Sequence, residues 1–244
     1  MRTQKIDFPD RQTLSVFPDE RSNLSQAISE LGLNGRYQVI VLIGSEIDEK
    51  GAEVTRRAIQ AICRVAEDTN AVVICGGMDR GVMAEIGQIK GRNAYKFPLL
   101  GITPEALVTW PGGPHRSKFL GWGKQRWQLE PHYSHFILVP GSQFGDEAHW
   151  IAGAATMLSN GRRSVTILIG GSAISKKDIE LSLENGRPVI ALSRTGHLAD
   201  ELARQPNRQE LIAVIPASAE QRIADMVKEA LADHTTKQNG VSSE

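Results

Sequence analysis

The chain has 244 residues, with 41% hydrophobic and 23% charged residues, ordinary values for a soluble globular protein. Lys plus Arg equals Asp plus Glu at 28 each, so the net charge is zero and the basic surplus expected of a general nucleic-acid binder is missing. Two cysteines, Cys63 and Cys75, are too few for a disulfide framework and imply a reducing compartment.

The first 35 or so residues are irregular and read as an N-terminal extension, an edge hairpin and a small helix near Asn23–Leu31. The start, MRTQKIDFPD, lacks the apolar core of a signal peptide, and no run of about 18 apolar residues exists. The expectation is a cytoplasmic protein. From Tyr37 on, strand-like runs alternate with helix-period segments. YQVIVLIG, Tyr37–Gly44, predicts a buried strand. A helix follows over Asp48–Asp68, with Val54, Ala58, Ile62, Val65 and Ala66 on one face. AVVICGG predicts the second strand, with a short helix at Gly81–Ile89 after it. Pro98–Thr103 is the third strand. Ser134–Ser142 is the fourth, followed by a helix over Asp146–Leu158. Ser164–Ser172 is the fifth. The next helix is predicted to open with Ser175 and Asp178 as a capping box and Ile174 stapled to Ile179. Arg187–Ser193 and Glu210–Ile215 are further strands, and Ala217–Ala232 carries an apolar stripe of a final helix. Residues 36–233 then form one α/β Rossmann-like domain, a largely parallel sheet with helices on both faces, and residues 234–244 a disordered tail.

Four strands end in small residues: Gly44-Ser45, Gly76-Gly77, Gly141-Ser142 and Gly170-Gly171-Ser172. In an open parallel sheet these turns share the carboxyl edge, where ligands bind. Each alone serves equally as a tight turn. Together they suit a rim whose backbone N–H groups and helix starts hold phosphate. Neither the dinucleotide fingerprint nor the P-loop pattern is present. In PGSQFGDEAHW, Pro140–Trp150, Asp146 and Glu147 stand at a helix start. They complement its dipole, contact ribose hydroxyls, or act in acid–base chemistry on a sugar.

The segment Thr109–Tyr133 breaks the alternation. It is rich in Gly, Pro, Trp and basic residues. Trp110, Trp122 and Trp127, with Arg116, Lys118, Lys124 and Arg126, are candidates to close over a base and its phosphates. They suit an oligomer contact equally well. His132 and His135 are weighed as a metal pair, but no third ligand follows at zinc spacing, so no metal is expected. Cys75 reads as a small buried hydrophobe.

The stretches ICGGMDRGVMAEIG and LEPHYSHFILVPGSQFGDE resemble the SLOG superfamily, especially the TRPM-type (LSDAT-like) prokaryotic branch. LLGITPEALV and PVIALSRTGHLADELA resemble two further blocks of it, so the likeness spans roughly Tyr37 to Ala203. It implies a sensor or binding domain for ADP-ribose or a related NAD derivative, with no cofactor required. On this expectation Gly44, Ser45, Gly76, Gly77, Gly81, Gly141, Ser142, Gly145, Gly171 and Ser172 line the phosphate rim. Asp146 or Glu147 contacts ribose, and Asp79, Arg80, Arg194 and Thr195 complete the rim. A homodimer or higher homo-oligomer, and a membrane-protein or effector partner, are further expectations. The resemblance extends to lysine-decarboxylase-like phosphoribohydrolases with a P-G-G-x-G-T-x-x-E loop. Here Ser142 replaces the second glycine and Glu147 falls one residue short of the catalytic glutamate. The alternative is therefore a nucleotide N-glycosidase using Glu147, with Arg126 as the supporting arginine.

Overall fold

The run Val39–Gly44 is apolar at every position but its last because the strand it forms, β3, is covered on both faces. Ile40 and Leu42 point into one core cluster, and Val39, Val41 and Ile43 into the other. The same logic shapes β4 (Val72–Cys75), β5 (Leu99–Pro104), β8 (His135–Val139), β9 (Ser164–Ile169) and β10 (Val189–Ser193). The computed structural model describes residues 1–44, 46–113, 126–160, 163–205 and 210–232.

The main sheet has nine strands in the order β1-β2-β8-β5-β4-β3-β9-β10-β11, where β1 is Arg2–Phe8, β2 is Arg11–Phe17 and β11 is Ile212–Pro216. β1 and β2 form an antiparallel hairpin from Arg2 opposite Phe17 to Phe8 opposite Arg11. Every other pairing in this sheet is parallel, including that of β2 with β8. The fold is thus α/β and Rossmann-like. Helices α2 (Ala52–Thr69), α3 (Gly81–Arg92) and α7 (Glu220–Leu231) bury Ile59, Ile62, Val82, Ile86, Ile223 and Val227 against one face. Helices α1 (Leu24–Glu30), α4 (Ala148–Ser159), α5 (Ala173–Glu184) and α6 (His197–Arg204) bury Ile28, Trp150, Ile151, Ile179, Leu198 and Leu202 against the other. No helix among the described residues is long and apolar enough to cross a membrane.

Three local expectations are corrected. Helix α5 starts three residues earlier than predicted. Gly170 and Gly171 both have positive φ and reverse the chain at once, so Ser172 is the N-cap. Its Oγ accepts the Ile174 N–H at 3.3 Å, while its own N–H donates to Ser175 Oγ at 3.0 Å. The box is therefore Ser172–Ser175, Ile174 is left exposed rather than stapled, and Asp178 is free for another role. Trp110 is core rather than a loop aromatic: it is 6% exposed and its ring centroid lies 5.7 Å from that of Phe17. The described ends of the segment between β5 and β8 are also more regular than its composition implies. They pair as a short parallel ladder, β6 (Val108–Thr109) with β7 (Trp127–Gln128). Trp122, Arg116, Lys118, Lys124 and the expected tail lie outside the described residues.

Candidate functional site

Chain order runs outward from β3 in both directions, to β4 on one side and β9 on the other. Such a switch point leaves a crevice at the strands' carboxyl ends. Two cavities occupy it, and Glu46, just after β3, lines both.

The first cavity has a volume of about 320 Å³. Its walls are mostly apolar: Leu42 and Ile43 from β3, Met78 and Met83 beside the β4–α3 turn, Phe144 from the loop before α4, and Ile151 from α4. Cys75 ends β4 on its surface. Burial pushes this thiol up to about 11, so it is protonated and unreactive as a nucleophile. Two carboxyls enter from the α4 and α5 side. Glu147, the N-cap residue of α4, accepts the Gly145 N–H at 2.9 Å; burial raises its pKa, opposed by that N–H. Asp178, from α5, is pushed up to about 7, first by burial and then by the charge at Glu147. Arg80 stands at the lip. Its guanidinium lies 3.7 Å from the Trp127 ring centroid and is ion-paired with Glu46.

The second cavity, about 450 Å³, is more polar. Thr55, Arg194, Thr195, His197 and Asp200 line it. The Asp200 carboxylate accepts the Arg194 N–H at 2.5 Å and the Gly196 N–H at 3.1 Å. Thr195 Oγ1 accepts the Gly170 N–H at 2.8 Å and donates to the Leu192 carbonyl at 2.5 Å, tying β10 to the β9 turn.

Of the residues expected at the rim, Gly44, Gly76, Arg80, Glu147 and Ser172 line the first cavity, and Arg194 and Thr195 the second. Ser45 lies outside the described residues. Gly81 opens α3, and Gly171 makes the turn before Ser172. The Asp79 N–H is bonded to the Gln128 carbonyl at 2.8 Å, and the Gly77 carbonyl accepts the Glu130 N–H at 3.0 Å; both belong to the seam joining β4 to the β7–β8 connection. Gly141, Ser142 and Gly145 form a loop closed on itself. Asp146 Oδ2 accepts the N–H groups of Ser142 at 2.8 Å and Gln143 at 3.1 Å, and these bonds hold the Asp146 pKa down. Two of the glycines have packing reasons of their own. A Cβ on Gly44 would stand 2.6 Å from Val82 Cγ2, and one on Gly76 would stand 2.6 Å from Met83 Sδ. These close approaches let α3 lie directly over the ends of β3 and β4.

Sequence reasoning missed Asp178, Asp200 and Thr55 as lining residues. Asp178 was absorbed into a helix-cap pattern. Asp200 sits in the segment HLADELA, which reads as an ordinary amphipathic helix. His132 and His135 do not converge: His132 Nδ1 pairs with Glu130 at 2.6 Å, and His135 Nδ1 with Ser134 Oγ at 2.9 Å. Among the described residues no three His, Cys, Asp or Glu side chains gather as a metal site requires.

Comparison with known proteins agrees with this architecture. The family described as "SLOG in TRPM, prokaryote" matches residues 37–234. The solved structure of the structural-genomics target TM1055 is similar, with 18% identity, a TM-score of 0.53, and coverage of 79% of this chain and 99% of that one. The molybdenum cofactor carrier protein from Chlamydomonas reinhardtii is similar at 17% identity and a TM-score of 0.54, over 81% of this chain and 100% of that one. At such identities the likeness is one of fold. No protein of curated function matches the sequence.

Proposed function

This chain belongs to the SLOG-in-TRPM family of prokaryotes, and on that footing we propose that it binds a nucleotide-derived ligand, ADP-ribose or a related NAD derivative, as a sensor or binding domain. One observation carries the reading. An apolar cavity and a polar cavity meet at Glu46 on the carboxyl edge of a switch-point sheet. A ligand with a flat apolar end and a polar sugar–phosphate end fits that division. The phosphates belong away from the first cavity, since Glu147 and Asp178 line it and would repel them. Arg80 at the lip and the α3 start beside it offer the nearest positive potential.

The test is native mass spectrometry of the full chain with ADP-ribose, NAD and AMP, with the small molecules analysed in the same samples. Intact ligand retained at stoichiometric level is the expected result. No retention of any of the three sinks the reading.

A second reading, a nucleotide N-glycosidase, is favoured by the elevated pKa of Glu147 beside an apolar cavity. There Glu147 would assist departure of the base while water attacks the ribose carbon. In the same samples free base and ribose phosphate would accumulate with time, and Glu147→Gln would abolish this. In a pure binder, Glu147→Gln keeps most affinity and no product forms.

A further inference from the structure

The nine-stranded sheet ends on β1, and no strand among the described residues pairs with β1 on the side away from β2. The hairpin register fixes which of its backbone groups face outward. Phe8 and Arg11 flank the two-residue turn Pro9-Asp10, so they exchange hydrogen bonds, and so do the alternate pairs Ile6–Thr13, Gln4–Ser15 and Arg2–Phe17. The N–H and C=O groups of Thr3, Lys5 and Asp7 therefore point away from β2. All three residues are exposed. Their backbone groups find no partner outside the hairpin among the described residues. Such an edge is a template for one more strand.

The charges along this strand and its turn are arranged about a centre. Arg2 and Lys5 are positive, Asp7 and Asp10 are negative, and no other charged residue lies between them. Inverting the order about Ile6 carries Arg2 onto Asp10 and Lys5 onto Asp7, so every charge falls on its opposite.

We propose that β1 pairs with β1 of a second copy of this chain, antiparallel and centred on Ile6, so that the two sheets become one across a two-fold axis. This surface is independent of the ligand reading above.

Charge selects the register. With Ile6 opposite Ile6, Lys5 of each copy stands opposite Asp7 of the other. Both are outward-facing residues, so each such pair exchanges two backbone hydrogen bonds while its side chains lie side by side. Centring one residue earlier sets Lys5 against Lys5, and one residue later sets Asp7 against Asp7. In-register parallel pairing would align every like charge. Lys5 has no carboxylate partner among the described residues, and Asp7 Oδ1 accepts the Gln12 side-chain amide at 2.7 Å, leaving its second oxygen for a cation. Arg2 is held by Glu105 at 2.7 Å and lies over the Phe17 ring, so the inner pair carries the selectivity. Pro9 comes opposite Thr3 and, lacking an N–H, ends the ladder there. Ile6 and Phe8 already point into the core from the other face of the strand, so pairing disturbs no packing. A contact of this isologous kind closes at two copies.

The experiment is sedimentation velocity of the full chain over a wide concentration range, in low and high salt. A reversible monomer–dimer equilibrium is expected, with no larger species and with weaker association in high salt. Lys5→Asp and Asp7→Lys each replace two opposite-charge pairs by two like-charge pairs. Each should weaken dimerisation by at least about tenfold, the scale of two cross-strand charge pairs. The double variant Lys5→Asp with Asp7→Lys restores opposite charges in reversed order and should recover the dimer. Both side chains are exposed, so thermal melts of the variants should match the unmodified chain, which separates lost pairing from lost folding. A chain that stays monomeric at every concentration overturns the proposal. So does a dimer indifferent to both single variants, or a double variant no tighter than the singles. Species that keep growing beyond the dimer overturn the two-fold pairing as well.

Discussion

Asp146 Oδ2 stands 2.8 Å from the backbone nitrogen of Ser142, so a side chain of the loop fills the position a phosphate oxygen would take there. The same oxygen holds the Gln143 N–H at 3.1 Å. The loop is braced from within, and an anion entering it must displace this carboxylate.

Asp146→Ala should therefore loosen the loop. The loss of two charge-assisted bonds on a partly exposed loop is expected to lower stability by about 1 kcal/mol at neutral pH, read from denaturant midpoints. Its folded pKa is depressed, so its contribution is complete above the ordinary carboxylate range and fades as pH falls through the folded value. The difference between the unmodified chain and Asp146→Ala should accordingly close in acid. A gap that persists unchanged at low pH would refute the brace.

Asp178 has the opposite sign. Its folded pKa of about 7 lies above the ordinary 3.8, so folding takes up a proton between those values. Stability contributed by this group falls as pH rises through that window. Asp178→Asn should be more stable than the unmodified chain at pH 8, by roughly 1–3 kcal/mol. The advantage should shrink towards pH 4. Thermal melts across this range decide it, and a pH-independent difference would show that Asp178 is well solvated.

Gly77 has φ +79°, and a Cβ there would meet the Gly101 Cα at 2.9 Å and the Phe136 ring at the same distance. Gly77→Ala combines a left-handed backbone with an overpacked contact. It should cost about 2–4 kcal/mol. Urea unfolding measures this; a loss under about 1 kcal/mol would mean that the β4 turn relaxes freely.

Cys63 and Cys75 are both buried, and burial raises both thiols. Neither should react with an aromatic disulfide reagent in the native chain at pH 8, and both should react at once in denaturant. Since Cys75 alone lines the first cavity, slow native labelling, where it occurs, should be confined to Cys75 and should cease when the cavity is filled. Fast labelling of Cys63 would contradict the packing of α2.

The sheet was legible because burial on both faces writes each central strand as an unbroken apolar run, as in VVIC or SVTILI. The glycine turns marked its carboxyl edge for the same reason. What could not be read was juxtaposition. Glu147 and Asp178 are brought to one cavity only by the packing of α4 beside α5, and nothing local in either segment records the other. The start of α5 was ambiguous because Ser172 and Ser175 both suit a cap, and only the paired positive φ values of Gly170 and Gly171 choose between them. Trp110 was misplaced because the Pro and Gly residues around it resemble those of a surface loop, while its partner Phe17 is far away in sequence.

The hairpin at the start of the chain has a consequence for synthesis. β2 leaves the ribosome long before its parallel partner β8, which runs from His135 to Val139. The Thr13 hydroxyl must find the Tyr133 carbonyl, 120 positions later. At roughly 5–20 residues per second, the hairpin waits on the order of ten seconds with its hydrogen-bonding edge unclaimed. Joining so distant a pair also carries a large loop-closure cost. A strand made well ahead of its partner is thus among the last to be locked in, and its open edge is the segment's exposure to wrong pairing while it waits.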